Sequence, residues 1–83
     1  MKISVEISMY PLTESYIEPI KSFIEALHSF SDIEIRTNGM STQIFGEYAS
    51  VLSALTQSME PQMADRKVVF VTKFLGTDVS EYK

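Results

Sequence analysis

The stretch Thr37–Glu47, T-N-G-M-S-T-Q-I-F-G-E, decides how the rest of this chain is arranged. Its Asn38-Gly39 pair is among the strongest short-range turn signals, because both residue types tolerate the positive φ that tight hairpin turns require. The sequence therefore predicts two short strands joined by a tight turn. More hydroxyl side chains surround this turn than a connection needs, and we expect them to serve a ligand: Thr37, Ser41 and Thr42.

The composition is that of one small domain held together by packing. A chain of 83 residues buries roughly 60–70% of the surface that its unfolded form exposes, which allows one core but no deep private cavity. Hydrophobic residues make up 45% of the chain, which is slightly generous for this size and indicates oligomerisation. We predict a single domain over residues 1–83, with a polar, loosely held tail over residues 76–83.

Cysteine and charge usage exclude several kinds of site. The chain has no Cys and one His, so a disulfide framework and a zinc or other thiolate metal site are not expected. The net charge of −4 argues against nucleic-acid partners but suits a cationic small molecule. No stretch resembles a signal peptide or approaches the ~20 apolar residues of a membrane span. We therefore expect no membrane insertion and a cytoplasmic location.

Hydrophobic spacing predicts four strands and two helices. Alternating apolar residues indicate strands, and apolar residues three and four apart indicate helices. Pro11 ends the first strand, and Pro61 stops the second helix. A capping box of Ser15 and Glu18, or else Thr13 alone, starts the first helix. The predicted strands cover residues 2–10, 32–36, 42–45 and 66–75, and the predicted helices residues 13–30 and 47–59.

This order of elements is typical of the α+β ferredoxin-like fold, βαββαβ, with two helices on one face of a four-stranded antiparallel sheet of order 4-1-3-2. In that fold the end of the first strand meets the hairpin and the start of the first helix. We expect a hydroxyl-rich site there, with Tyr10 as a stacking surface and Met9 or Met40 as adaptable contacts, although each residue alone also fits turn or cap chemistry. The converging polar residues are Ser8, Tyr10, Thr13, Ser15, Thr37, Asn38, Ser41 and Thr42.

Residues for catalysis are not evident in the sequence. His28 lies near the end of the first helix, far from the hydroxyl cluster, and is interpreted as a surface or capping residue. Glu6 has no evident carboxylate partner, and no phosphate-cradling glycine loop or nucleophile elbow is present. Glu47 most simply complements the dipole of the second helix. We therefore expect a non-catalytic protein without a metal or cofactor, and the acidic composition disfavours an RNA-binding ferredoxin-like domain.

The last strand leaves a second interpretation open. Its apolar residues occupy both faces, so that both faces need cover. On this interpretation the chain is a homo-oligomeric regulatory or assembly module, and the hairpin is merely a turn. The residues concerned are Val68, Phe70 and Phe74 on one face and Val69, Val71 and Leu75 on the other.

Three stretches together resemble a known family. They are V-E-I-S-M-Y-P-L over residues 5–12, T-N-G-M-S-T-Q-I-F-G-E-Y over residues 37–48, and V-V-F-V-T-K-F over residues 68–74. Over nearly its whole length the chain resembles the thiamine- and hydroxymethylpyrimidine-binding family related to YkoF. The resemblance implies a ferredoxin-like domain that binds thiamine or its pyrimidine moiety without catalysis. Because this chain holds one copy of the domain, the resemblance also implies a homodimer or homotetramer.

The resemblance further implies which residues contact the ligand. It points to Ser8 at the end of the first strand and to four hairpin residues, Thr37, Asn38, Ser41 and Thr42. Independently of the resemblance, a cationic aromatic ligand such as thiamine suits an acidic domain that carries hydroxyls and Tyr10. Hydroxyl or amide groups left unpaired by a wrong ligand would reject its analogues.

Overall fold

The computed structural model describes residues 1–82, and its elements follow the predicted order. They are β1 (Lys2–Pro11), α1 (Ile17–His28), β2 (Glu34–Thr37), β3 (Thr42–Glu47), α2 (Tyr48–Asp65) and β4 (Val68–Leu75). The strands form one antiparallel sheet of order β2-β3-β1-β4, which is the predicted order 4-1-3-2 read from the opposite edge. The α+β ferredoxin-like fold is therefore confirmed.

Alternation along the strands separates a helix-covered face of the sheet from an open face. On β1 the odd-numbered residues from Ile3 to Met9 are buried in the core, and Glu6, Ser8 and Tyr10 lie on the open face. The Phe23 ring of α1 packs against Phe70 of β4, with their centroids 5.1 Å apart. The core is completed by residues from both helices and β3: Phe23, Leu27, Ile44, Val51, Ala54 and Leu55.

The prediction that Pro61 stops the second helix is wrong, because α2 continues through it to Asp65. A proline inside a helix removes one backbone hydrogen bond and bends the helix, but side-chain contacts hold the last turn in place. Gln62 is buried, and its amide nitrogen donates to the Ser22 hydroxyl of α1 at 3.2 Å. Its amide oxygen accepts from Arg66. These contacts attach the end of α2 to α1 and offset the missing bond.

The predicted helix starts also need correction. α1 begins at Ile17 with Tyr16 as its N-cap residue, and no side chain makes a cap hydrogen bond. Neither Thr13 nor the Ser15 capping box therefore forms. Glu47 is the N-cap residue of α2, again without a side-chain cap bond, because its carboxylate instead accepts from the Met1 amino group at 3.0 Å.

The first strand ends at Pro11, as predicted, although Pro11 itself belongs to the strand. Pro11 pairs with Val68 of β4, whereas pairing of β1 with β3 stops at Ile7 and Thr42. Because Pro11 lies where β1 has a partner strand on one side only, its missing N–H removes no ladder bond if it faces the free side. The pairing thus explains why a proline is tolerated at this end of a central strand.

The segment after β4 returns to the open face of the sheet. The Ser4 hydroxyl donates to the Thr77 carbonyl oxygen at 2.8 Å and accepts from the Val79 backbone N–H at 2.9 Å. Ser4 itself is 5% exposed. These bonds attach the described part of the predicted tail to β1. How loosely the tail is held stays a prediction, and Lys83 lies outside the described residues.

Candidate functional site

A cleft opens where β1 runs on beyond its pairing with β3. From Ser8 to Pro11, β1 pairs only with β4, and the β2–β3 loop and α1 stand on the other side. The cleft has a volume of about 350 Å³. Its walls come from the end of β1, residues 7–11, the hairpin, residues 37–42, and one side of α1. The cleft thus lies at the end of the sheet where the sequence predicted a site.

All six residues predicted to bind a ligand line this cleft: Ser8, Tyr10, Thr37, Asn38, Ser41 and Thr42. Two further hydroxyl residues expected at the same end do not. Thr13 and Ser15 line a separate hollow beside Glu18 and Arg66, in the segment before α1, which starts later than predicted. The cluster is therefore smaller than expected.

The hairpin loop differs from the sequence prediction in its backbone conformation. The last pair is Thr37 with Thr42, which leaves a four-residue loop, residues 38–41. A backbone hydrogen bond from the Asn38 N–H to the Ser41 carbonyl oxygen, 3.0 Å, closes this loop. No residue in the described part of the chain has a positive φ, so the positive φ expected at Asn38-Gly39 is wrong. Instead the Asn38 side-chain oxygen accepts the backbone N–H groups of Met40 and Ser41 at 2.8 and 3.0 Å. Asn38 thus acts through an Asx-type turn, and its amide NH₂ is left to donate.

The hairpin hydroxyls lie on the helix-covered side of the cleft. Thr37 and Thr42 follow the parity of the core residues Ile35 and Ile44, and their hydroxyl oxygens are 3.2 Å apart in a mutual hydrogen bond. Thr42 is 5% exposed. One hydroxyl of this pair donates to the other, which leaves one proton and the remaining lone pairs for a ligand.

Ser8 and Tyr10 lie on the opposite side, since their parity places them on the open face. The Ser8 hydroxyl makes a long contact of 3.5 Å with the Met40 carbonyl oxygen. Tyr10 is 53% exposed and Met40 89% exposed, so both can move toward a bound molecule. The predicted residues therefore surround the cleft from both faces of the sheet.

The apolar wall of the cleft comes from α1. Four of its lining residues lie on or just before this helix: Tyr16, Ile20, Phe23 and Ile24. Ile20, Phe23 and Ile24 have the three- and four-residue spacing that predicted this helix, and they also pack in or against the core. Sequence reasoning missed that these residues also line the cleft. Helical spacing identifies which side chains form an apolar face, but it does not show where that face is left uncovered. The cleft thus has an apolar wall from α1 and the side chain of Tyr10 among its lining residues.

Sequence reasoning also missed Glu6 as a residue of the site. Its carboxylate accepts from the Ser41 hydroxyl at 3.0 Å and lies 3.7 Å from the Lys73 ammonium. Together with Ser8, Tyr10 and the loop it lines a shallower hollow on the open face that continues around the loop from the cleft. A carboxylate thus stands beside the hydroxyl cluster. In the sequence, the only indication of this role of Glu6 is that it is a single acidic residue two positions before Ser8.

The described residues hold no group of three or more His, Asp or Glu side chains arranged to bind a metal ion. Within residues 1–82 the helices are also too short or too polar to cross a membrane.

Fold and site together define a class of protein: a ferredoxin-like domain with a polar cleft at the hairpin end of its sheet. The family follows from a direct comparison. The model of the YkoF-related family matches residues 2–77, which is nearly the whole chain. The protein therefore belongs to the YkoF-related family. No curated protein matches the sequence significantly.

Solved structures show the same fold at low sequence identity. A hypothetical protein of Methanocaldococcus jannascii is 26% identical with a TM-score of 0.80, over 99% of this chain and 87% of that one. A protein of Thermotoga maritima described as a candidate in thiamine biosynthesis or salvage is 18% identical with a TM-score of 0.84, over 98% and 94%. A Streptococcus pneumoniae protein is 20% identical with a TM-score of 0.84, over 95% and 90%.

Proposed function

We propose that the protein binds thiamine or its hydroxymethylpyrimidine moiety in the cleft between β1, the hairpin and α1, without catalysing a reaction and without a cofactor. The convergence of six polar residues on one cleft carries the proposal. Membership of the YkoF-related family supports it, as does the structural likeness to the Thermotoga maritima protein that is linked by its description to thiamine.

The chemistry of the cleft fits a small heteroaromatic ring. The side chains of Ile20 and Ile24 offer an apolar surface for one face of the ring. The Thr37 and Thr42 hydroxyls and the free Asn38 amide supply donors and acceptors for its polar edge. Such groups fix the orientation of the ring, because a ligand that leaves them unpaired loses about 1–3 kcal/mol for each buried group.

The charge of the site suits the cationic thiazolium of thiamine. The whole chain carries a net charge of −4, and Glu6 places one of its carboxylates beside the loop that borders the cleft. Tyr10 adds an aromatic face, which attracts a cation. Lys73 opposes this attraction, but its side chain is 81% exposed and can turn toward solvent.

Thermal unfolding with each ligand tests the proposal. Thiamine or hydroxymethylpyrimidine at about a hundred times its Kd adds ~2.7 kcal/mol to the free energy of unfolding, and the unfolding midpoint rises accordingly. The double variant Thr37→Val, Thr42→Val removes both hydroxyls together, so that neither is left without its partner, and we expect it to lose most of this rise. Thr56→Val, on the exposed side of α2, is the matched control and keeps it.

A wild-type midpoint unmoved by millimolar concentrations of both compounds would refute the proposed ligand. An equal rise in the double variant would instead show that the ligand binds elsewhere.

Association of copies through the open face is the second part of the proposal. Tyr10, Val69 and Val71 are each about half exposed on that face, and the register places Tyr10 opposite Val69. Contiguous exposed apolar side chains of this kind mark interaction surfaces. We expect a homodimer or homotetramer, and if ligand binding fails, association alone remains as the function. The cytoplasmic location stays a prediction.

A further inference from the structure

The cleft lies beside a section of β1 that has lost one of its two partner strands. Pairing with β4 continues to Pro11, but pairing with β3 ends at Ile7. A central strand normally satisfies its backbone groups on both sides. Here one edge of residues 8–11 borders the cleft, where the next rungs of the β1–β3 ladder would lie.

The direction of each backbone group follows from the alternation of antiparallel strands, in which successive residues turn their N–H and C=O toward opposite neighbours. The Leu12 N–H donates to the Lys67 carbonyl oxygen at 3.0 Å, on the β4 side. Even-numbered residues of β1 therefore face β4, and odd-numbered residues face the hairpin. Beyond Ile7 these are Met9 and Pro11, and Pro11 has no N–H. Of the residues of β1 beyond Ile7, Met9 is therefore the one whose backbone presents both a donor and an acceptor to the cleft.

We infer that the backbone N–H and C=O of Met9 recognise the amino-pyrimidine edge of the ligand. This inference rests on the proposed function. The Met9 N–H donates to a ring nitrogen, and the Met9 C=O accepts from the amino group attached to the adjacent ring carbon. The two groups of one residue are spaced as in a hydrogen-bonded pair of an antiparallel sheet, so the ligand edge replaces the missing rung.

The burial of Met9 strengthens this role. The residue is 9% exposed, and its side chain packs into the core beneath the helices, so the backbone is held in place and offers its polar groups to the cleft without rearrangement.

A pair of backbone groups also explains a selectivity between ligands that the side chains alone do not determine. An analogue with an oxo group in place of the amino group sets a carbonyl oxygen against the Met9 C=O. We expect it to bind about tenfold more weakly or worse.

Nuclear magnetic resonance of the ¹⁵N-labelled full chain, titrated with hydroxymethylpyrimidine, tests the inference. The amide proton of Met9 is expected to shift downfield and to exchange with solvent more slowly when the ligand is bound. The Val5 amide, on the same strand but paired with Ile44 of β3, is the internal control and stays unchanged. The oxo analogue, titrated in the same way, is expected to bind at least about tenfold more weakly.

Binding of hydroxymethylpyrimidine that leaves the Met9 amide shift and exchange unaltered would overturn the inference and leave the proposed function standing. Equal affinity for the oxo analogue would do the same. A protein that binds neither thiamine nor hydroxymethylpyrimidine would overturn the proposed function, and the inference with it.

Discussion

The two faces of the sheet are built from the same strands but make different kinds of contact. On the helix-covered face β1 presents Ile3, Val5, Ile7 and Met9, all buried. On the open face the intervening residues are Ser4, Glu6 and Ser8, which have separate polar contacts, and the exposed Tyr10. The covered face holds the fold together by apolar packing, whereas the open face distributes separate polar contacts. Where the two faces meet, beyond the last β1–β3 pair, lies the cleft.

The open face is itself divided along its length. At one end Ser4 binds the segment after β4, and in the middle Glu6 binds Ser41 and stands near Lys73. At the other end Tyr10 and its neighbours on β4 are exposed. Exposed apolar side chains on this face therefore include a group at the end that also borders the cleft. Tyr10 would then take part in both ligand binding and association.

The comparison of faces predicts its largest effect in the core. Ile44 of β3 is fully buried, and Val71 of β4 is 53% exposed on the open face. Replacing Ile44 with Ala leaves a cavity and is expected to lower the free energy of unfolding by about 2–5 kcal/mol. Val71→Ala is the matched control, expected to cost less than about 1 kcal/mol in a monomer. Urea titration of both variants measures the difference, and similar losses would contradict the division into faces.

Association gives the next largest effect. A Lys at position 71 places a charge on the half-exposed apolar end of the open face, and burying it unpaired between copies costs several kcal/mol. We expect Val71→Lys to lower the oligomeric state measured by light scattering. Val71→Thr keeps the shape without the charge and is the control. If Val71→Lys leaves the particle mass unchanged, copies do not associate through this face.

The bonds between Ser4 and the segment after β4 come third. Ser4→Ala removes two hydrogen bonds, to Thr77 and Val79, each contributing about 0.5–1.5 kcal/mol. We expect a loss of roughly 1–3 kcal/mol and faster hydrogen exchange of the Val79 amide. Ser8→Ala, on the same strand and face, is the control, because its hydroxyl makes only one long contact. Unaltered exchange at Val79 would show that the segment is held by other contacts.

Sequence reasoning predicted the faces, the strand order and the six residues around the cleft because hydrophobic period and turn residues are local signals. Thr37 and Thr42 could be placed together since both flank one loop. The contact of Ser41 with Glu6 spans 35 residues, and that of Ser4 with Thr77 spans 73. No local pattern encodes such pairs, and both were missed.

The errors in the predicted boundaries have a related cause. Asn-Gly allows a positive φ but does not require one, and the Asn38 side chain stabilises a loop without positive φ instead. Pro61 disfavours a helix locally, but the contact of Gln62 with α1 carried the helix past it. In each case a side-chain contact outweighed the local backbone preference, and only the folded arrangement reveals that contact.

The smallest expected effect is a pH dependence at Asp78, on the segment that crosses the open face. Hydrogen bonds from the Ser80 hydroxyl and then the Ser80 backbone N–H hold the pKa of the Asp78 carboxyl below its ordinary value of 3.8. Because the folded pKa is the lower one, the ionised carboxylate stabilises the segment above pH 3.8. This contribution disappears as the pH falls through the folded pKa.

Asp78→Asn keeps a side-chain oxygen that can accept from Ser80 but removes the charge. We expect the variant to unfold at a slightly lower temperature than the wild type at neutral pH, and the two midpoints to converge below the folded pKa of Asp78. The carboxyl is fully exposed, so salt should reduce the difference at neutral pH. A difference that persists unchanged into strong acid would mean that the Asn side chain alters the segment itself and that the charge of Asp78 is not what holds the segment on the open face.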